Sequence, residues 1–276
     1  MFQRMLASAL IAGLAAGLLA ALLHFAFVQP LILLGEQYET GTLVHYGGLG
    51  SKPAEHSHEA ADLPAADAAA SDPGASDPAA SDPATGDASA AAATAEAAHA
   101  HSAATVDTSP DLKRNALTVL VMVILYAAYG LLLAAGFGMA EAFGHKIGRT
   151  QGLLWGVAGF ATFQLSPAMG LAPELPGTIA AELSLRQIWW WMTVACTGSG
   201  LALLAYSRHW AAGLLGAVFL GLPHLIGAPR MDGFFGVAPT ELGAMFSARV
   251  LGSSLVVWAC LGLVAGLVWA REARRT

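Results

Sequence analysis

The sequence predicts an all-α protein: a polytopic bundle of about six transmembrane helices with one long disordered extracytoplasmic loop. Two observations carry this. The 276 residues are 56 % apolar and only 12 % charged, about half the charged share of a soluble domain. The charge is also segregated: residues 36–114 hold 3 basic and 13 acidic side chains, and the rest of the chain holds 10 and 6. A chain so apolar is not an ordinary soluble enzyme, and without a basic face it is not a nucleic-acid binder. Three regions follow: a first transmembrane helix over 1–35, a disordered acidic His-containing loop over 36–115, and a membrane bundle of about five helices over 116–276.

Six uncharged stretches can cross about 30 Å of hydrocarbon, and lipid forces each to be a helix. They are 6–28, 117–140, 152–171, 188–206, 211–228 and 250–270. The first is expected to be an uncleaved anchor. Its apolar core outruns a signal-peptide core of about 7–15 residues, and Phe27-Val28-Gln29-Pro30 offers no small-residue cleavage site. The third is interrupted near its end by Gln164, Ser166 and Pro167, and the fifth is short.

Arg4, Lys146, Arg149, Arg208, Arg271, Arg274 and Arg275 fall on one side of these spans; Lys52, Lys113, Arg114, Arg186, Arg230 and Arg249 fall on the other. The long loop counts for little in such a comparison, so both termini are expected in the cytoplasm and the acidic loop outside. Trp189, Trp190, Trp191 and Trp210 open spans four and five, as an interfacial belt would. Gly13-x-x-x-Gly17 and Gly262-x-x-x-Gly266 fit the close-packing pattern of membrane helices. In a chain this rich in Gly and Ala, chance is expected to explain them. Cys196 and Cys260 sit in apolar runs and imply no disulfide framework.

Residues 71–85 repeat Ser-Asp-Pro three times, a composition that cannot bury a core. The same loop carries His45, His56, His58, His99 and His101, with Glu55 and Glu59 beside the first His-x-His pair. Imidazole is the commonest ligand of late first-row divalent metals. The two mobile pairs are expected to catch such an ion loosely, without choosing among metals.

Within the apolar part, polar groups are costly and so point to function. His24 lies six residues before Pro30, and His224 follows Pro223. Glu174 and Glu241 lie in loops returning to the same outer side, where Met169 and prolines 167, 173, 176, 223, 229 and 239 also gather. Proline frees backbone carbonyls that can serve a cation where they line a cavity. His24, His224 and Glu174 are therefore expected to form an outward-facing cation site, with Glu241 and Met169 as further candidate ligands. The two loops also echo each other at an offset of 66, Gly170, Ala172, Pro173 and Gly177 matching Gly236, Ala238, Pro239 and Gly243. No Gly-x-x-x-x-Gly-Lys-Ser/Thr, Cys-x-x-Cys-His or His-Glu-x-x-His motif occurs, so neither an enzyme nor a permanently bound cofactor is expected.

Several strings, taken in order, resemble one family, the proposed cobalt transporter subunit CbtA. They are the opening Leu-Ala-Ser-Ala-Leu-Ile-Ala-Gly-Leu-Ala-Ala-Gly-Leu with Val28-Gln29-Pro30, the His-bearing acidic loop, Gly152-Leu-Leu-Trp155-Gly-Val-Ala-Gly159, Pro173-Glu174-Leu-Pro176-Gly177, Arg186-Gln187-Ile-Trp189-Trp190, and Pro223-His224-Leu-Ile-Gly227-Ala-Pro229 followed by Pro239-Thr-Glu241-Leu. The resemblance covers nearly the whole chain apart from the Ser-Asp-Pro segment. It implies a bacterial inner-membrane protein of cobalt uptake, linked to cobalamin supply. The transported ion would be cobalt(II), and the partner a small single-span subunit, CbtB, with its own histidines. The family is commonly described with five spans, one fewer than counted here. The function expected is divalent-metal uptake, with the loop capturing the ion and the bundle forming the route. The rival is a non-transporting membrane scaffold or metal sensor.

Overall fold

The computed structural model describes residues 2–45, 111–233 and 236–274. The expected disordered loop is therefore only described at its two ends, and His56, His58, His99 and His101 lie outside the described residues. Those residues form six helical rods that match the six predicted stretches: α1 (Phe2–Glu39), α2 (Leu112–Ala142), α3 (149–168), α4 (Leu183–Tyr206), α5 (Trp210–Ile226) and α6 (Thr240–Glu272). The chain reverses between successive rods, so one end of the bundle carries the start of α1 and the other carries the prolines. Four rods, α1, α2, α4 and α6, are long and apolar enough to cross a membrane. The two that fall short are the stretches already weakest in sequence: α5 has 17 residues, and α3 is interrupted.

Local chemistry sets the helix ends and the interruptions. Asp111 caps α2, its Oδ1 accepting from the backbone N–H of Lys113 and Arg114 at 3.1 Å each. In α1 a single π-turn, His24–Val28, precedes Gln29-Pro30. In α3 the same device recurs, a π-turn over Ala161–Leu165 preceding Ser166-Pro167. Proline has no N–H to close the helical ladder, and widening the turn before it is one way the backbone absorbs that loss. The Arg249 Nη1 donates to the Phe27 carbonyl at 3.2 Å, satisfying an acceptor inside the α1 π-turn. α5 stops at Gly227, whose φ of +84° suits glycine.

The main core is formed by α1, α2, α3 and α6, with Phe137, Trp258, Leu261 and Trp269 almost fully buried. Chance does not explain the two glycine pairs. A Cβ on Gly13 or Gly17 would run into the Ala127 and Val123 backbone of α2. On α6, Gly262 and Gly266 face Gly152 and Gly156 of α3, and Gly148 just before it, so closely that any Cβ would strike backbone atoms across the interface. The expectation of an idle pattern is corrected: both pairs sit where the backbones of two rods come into contact.

At the end holding residue 4, the sequence reading missed a staple that ties α1, α2 and α6 together. Arg4 Nη1 and Nη2 donate to Glu141 Oε2 and Oε1 at 2.9 and 2.7 Å, and Arg4 Nε donates to the Trp269 carbonyl at 2.9 Å. Trp269 Nε1 donates to Glu141 Oε1 at 2.8 Å, and the guanidinium lies 4.0 Å from the Trp269 ring centroid. A bidentate, ring-stacked pair is among the stronger ionic contacts. Glu141→Ala is expected to cost about 1.5–3 kcal/mol, the range for hydrogen bonds to charged groups, read as a lowered melting temperature in detergent. A cycle with Arg4→Ala should return a clear coupling energy.

Candidate functional site: the proline-broken end

At the opposite end a smaller apolar cluster anchors the connection between α3 and α4. Leu175 is buried with Val28, Leu31, Leu242 and Phe246, and Ser247 Oγ donates to the Pro173 carbonyl at 2.7 Å. The α5–α6 connection lies beside it, joined by an antiparallel bridge between Thr178 and Gly236. The two loops that echo each other in sequence are thus neighbours in space.

Between the broken end of α3, this anchored loop and the first turns of α4 lies a cavity of about 670 Å³. Phe163, Gln164 and Pro167 of α3, Trp190 and Trp191 of α4, and Glu174 with Arg186 line it. Arg186 Nη2 donates to Glu174 Oε2 at 3.2 Å, with the two side chains 28 % and 36 % exposed. A second cavity of about 440 Å³, under the loop 170–181 and residues 229–243, is also lined by Glu174 and Arg186.

His224, half-buried on α5, lies against α3 and α4. Its Nε2 is 3.2 Å from Ser166 Oγ, and Thr197 Oγ1 donates to Ser166 Oγ at 2.8 Å. Which of Ser166 Oγ and His224 Nε2 donates to the other follows from the imidazole tautomer. Trp189 closes the arrangement, its Nε1 donating to the Pro223 carbonyl at 3.2 Å and its ring 6.3 Å from the imidazole. Pro223 thus offers its carbonyl to a side chain as well as to Gly227 N–H at 3.0 Å. An aromatic ladder leads inward from the cavity wall: Phe163 stacks on Trp258 with centroids 5.7 Å apart, and Trp258 meets Tyr129 at 4.7 Å.

The other candidates stand apart. His24 sits in the α1 π-turn, edge-on to Phe25. Glu241 is exposed in the first turn of α6, where the Thr240 hydroxyl donates to it at 3.3 Å. Met169 is 68 % exposed just past the end of α3. Among the described residues, no three of His, Cys, Asp and Glu are close enough to hold one metal ion. In this conformation His24, His224 and Glu174 therefore do not form the single centre expected from sequence; they are borne on three different elements. Sequence reasoning also passed over Ser166, Thr197 and Arg186 as site residues. The available signal was the polar interruption at Gln164 and Ser166 in an apolar run, and a lone Arg186 ahead of the tryptophans.

Long apolar rods, polar side chains gathered at one proline-broken end and an open cavity there define a multi-pass membrane protein. The chain belongs to the CbtA family, whose description is "Probable cobalt transporter subunit (CbtA)" and whose profile matches residues 2–85 and 78–270. The two matched stretches overlap inside the Ser-Asp-Pro repeat. No curated protein and no solved structure matches the chain.

Proposed function

We propose that this chain is the membrane-embedded route of a bacterial cobalt(II) uptake system. The ion is captured outside by the His56/His58 and His99/His101 pairs, passes Glu174 at the cavity mouth, and reaches His224 behind it. The acidic loop faces outward, both termini lie in the cytoplasm, and the membrane is the bacterial inner membrane. A small single-span subunit with its own histidines, of the CbtB kind, acts as partner. The observation that carries this reading is the 670 Å³ cavity, which Glu174 and Pro167 line, next to the Ser166–His224 contact. A divalent ion leaving water needs oxygen and nitrogen ligands to replace its hydration shell. Because the candidate ligands do not meet in one centre, the ion meets them in sequence. Glu241, Met169 and His24 add a carboxylate, a thioether and an imidazole along the same end of the bundle.

Proteoliposomes holding the purified chain, with and without the small partner, should accumulate radiolabelled cobalt. Binding without accumulation under either condition would favour the scaffold or sensor reading. Replacing His56, His58, His99 and His101 together by Ala should impair uptake when cobalt is scarce and leave it near normal when cobalt is abundant. Equal loss at both concentrations would make the loop part of the route itself.

A further inference from the structure

Arg4–Glu141 and Arg186–Glu174 each link separate elements of this bundle, and the two pairs are built differently. Arg4 and Glu141 are held by a bidentate contact, a shared tryptophan donor and a stacked ring. Arg186 and Glu174 meet through a single 3.2 Å contact between half-exposed side chains, a kind of pair that holds weakly and is screened by salt. Their backbones, by contrast, are fixed. The Glu174 loop is anchored by Leu175 and by Ser247, and Arg186 N–H donates to the Glu182 carbonyl in the first turn of α4. The side chains can part while the walls stay still. The pair also occupies a particular place: Leu171, Ala172, Glu174 and Arg186 line both the 670 Å³ and the 440 Å³ cavity, so the pair stands where the two adjoin.

We propose that the Glu174–Arg186 ion pair is a displaceable gate between these two cavities, in which Arg186 serves as a built-in competitor for the cation. This rests on the reading of Glu174 as the intake carboxylate. A divalent ion is attracted to the carboxylate with twice the Coulomb energy of a monovalent one at the same distance. It also repels the guanidinium. Cobalt(II) therefore takes the place of Arg186, whereas sodium or potassium, with no charge advantage over the guanidinium, does not. Arg186 sets a charge threshold for intake.

The test is cobalt uptake by proteoliposomes of four variants. Arg186→Gln should lower the half-saturating cobalt concentration by up to about fivefold, the ceiling for an exposed ion pair, and should make uptake newly sensitive to competing potassium. Arg186→Lys should stay near the wild-type value, because it keeps the competing charge. Glu174→Gln should raise the half-saturating concentration, and the double variant should match Glu174→Gln alone. An unchanged or raised value for Arg186→Gln, with Glu174→Gln still impaired, would overturn the gate and leave Glu174 as the intake group. A wild-type value for Glu174→Gln would overturn the intake reading, and the gate with it.

Discussion

Gly262→Leu is expected to leave almost no folded protein in the membrane. The obstruction facing a side chain at this position is backbone: the Gly152 carbonyl and the Gly156 N and Cα of α3. Backbone atoms cannot rotate aside as a flexible side chain can, so α3 and α6 would have to separate along the whole interface. Even Gly262→Ala should cost about 1–3 kcal/mol, the usual penalty for overpacking. Gly252 on the same helix is the control, because nothing lies within 4 Å of where its Cβ would be. Gly252→Ala should be neutral or stabilise by up to about 1 kcal/mol through helix propensity alone. The yield of membrane-inserted protein measures the leucine variant, and thermal unfolding of the two alanine variants in one detergent measures the contrast. Equal behaviour of Gly262→Ala and Gly252→Ala would mean that the α3–α6 contact is not this close.

The largest functional effect is expected at His224. His224→Ala should abolish cobalt uptake even at saturating ion, while the protein still inserts and elutes as a stable species. His224 also joins α5 to α3 through Ser166, so lost packing has to be separated from lost ligation. Ser166→Ala removes the same hydrogen bond, typically worth about 1 kcal/mol, and keeps the imidazole. Uptake should survive Ser166→Ala and disappear with His224→Ala. Equal loss in both would make His224 a helix-linking residue and move the route elsewhere.

How much was legible depends on how local each cause is. The six rods could be read because the cost of placing a peptide in hydrocarbon accumulates along a single segment. The weakness of the third and fifth showed as Gln164, Ser166 and Pro167 in one and as brevity in the other. Pro30 and Pro167 announced disturbed turns, although the widening before each, at His24–Val28 and Ala161–Leu165, is a backbone solution that no residue spells out. The cavity end was legible in part: Glu174 and His224 were candidates on chemical grounds. Arg186 was not, because its meaning comes from the carboxylate it faces across a loop.

Hydropathy, proline and capping act within a few residues, so the chain alone determined an all-helical, multi-pass protein with its polar candidates at one end. The rotation of each rod about its axis was decided only in three dimensions. That rotation puts Gly262 against Gly152, brings Arg4 to Glu141 from 137 positions away, seats His224 beside Ser166, and keeps His24 out of a shared centre with Glu174. In lipid the surroundings of a helix are as apolar as its own side chains, so hydrophobicity has little preference for one face over another. Close backbone approach and a few polar contacts make the choice instead, and both require the neighbouring helix to be in place.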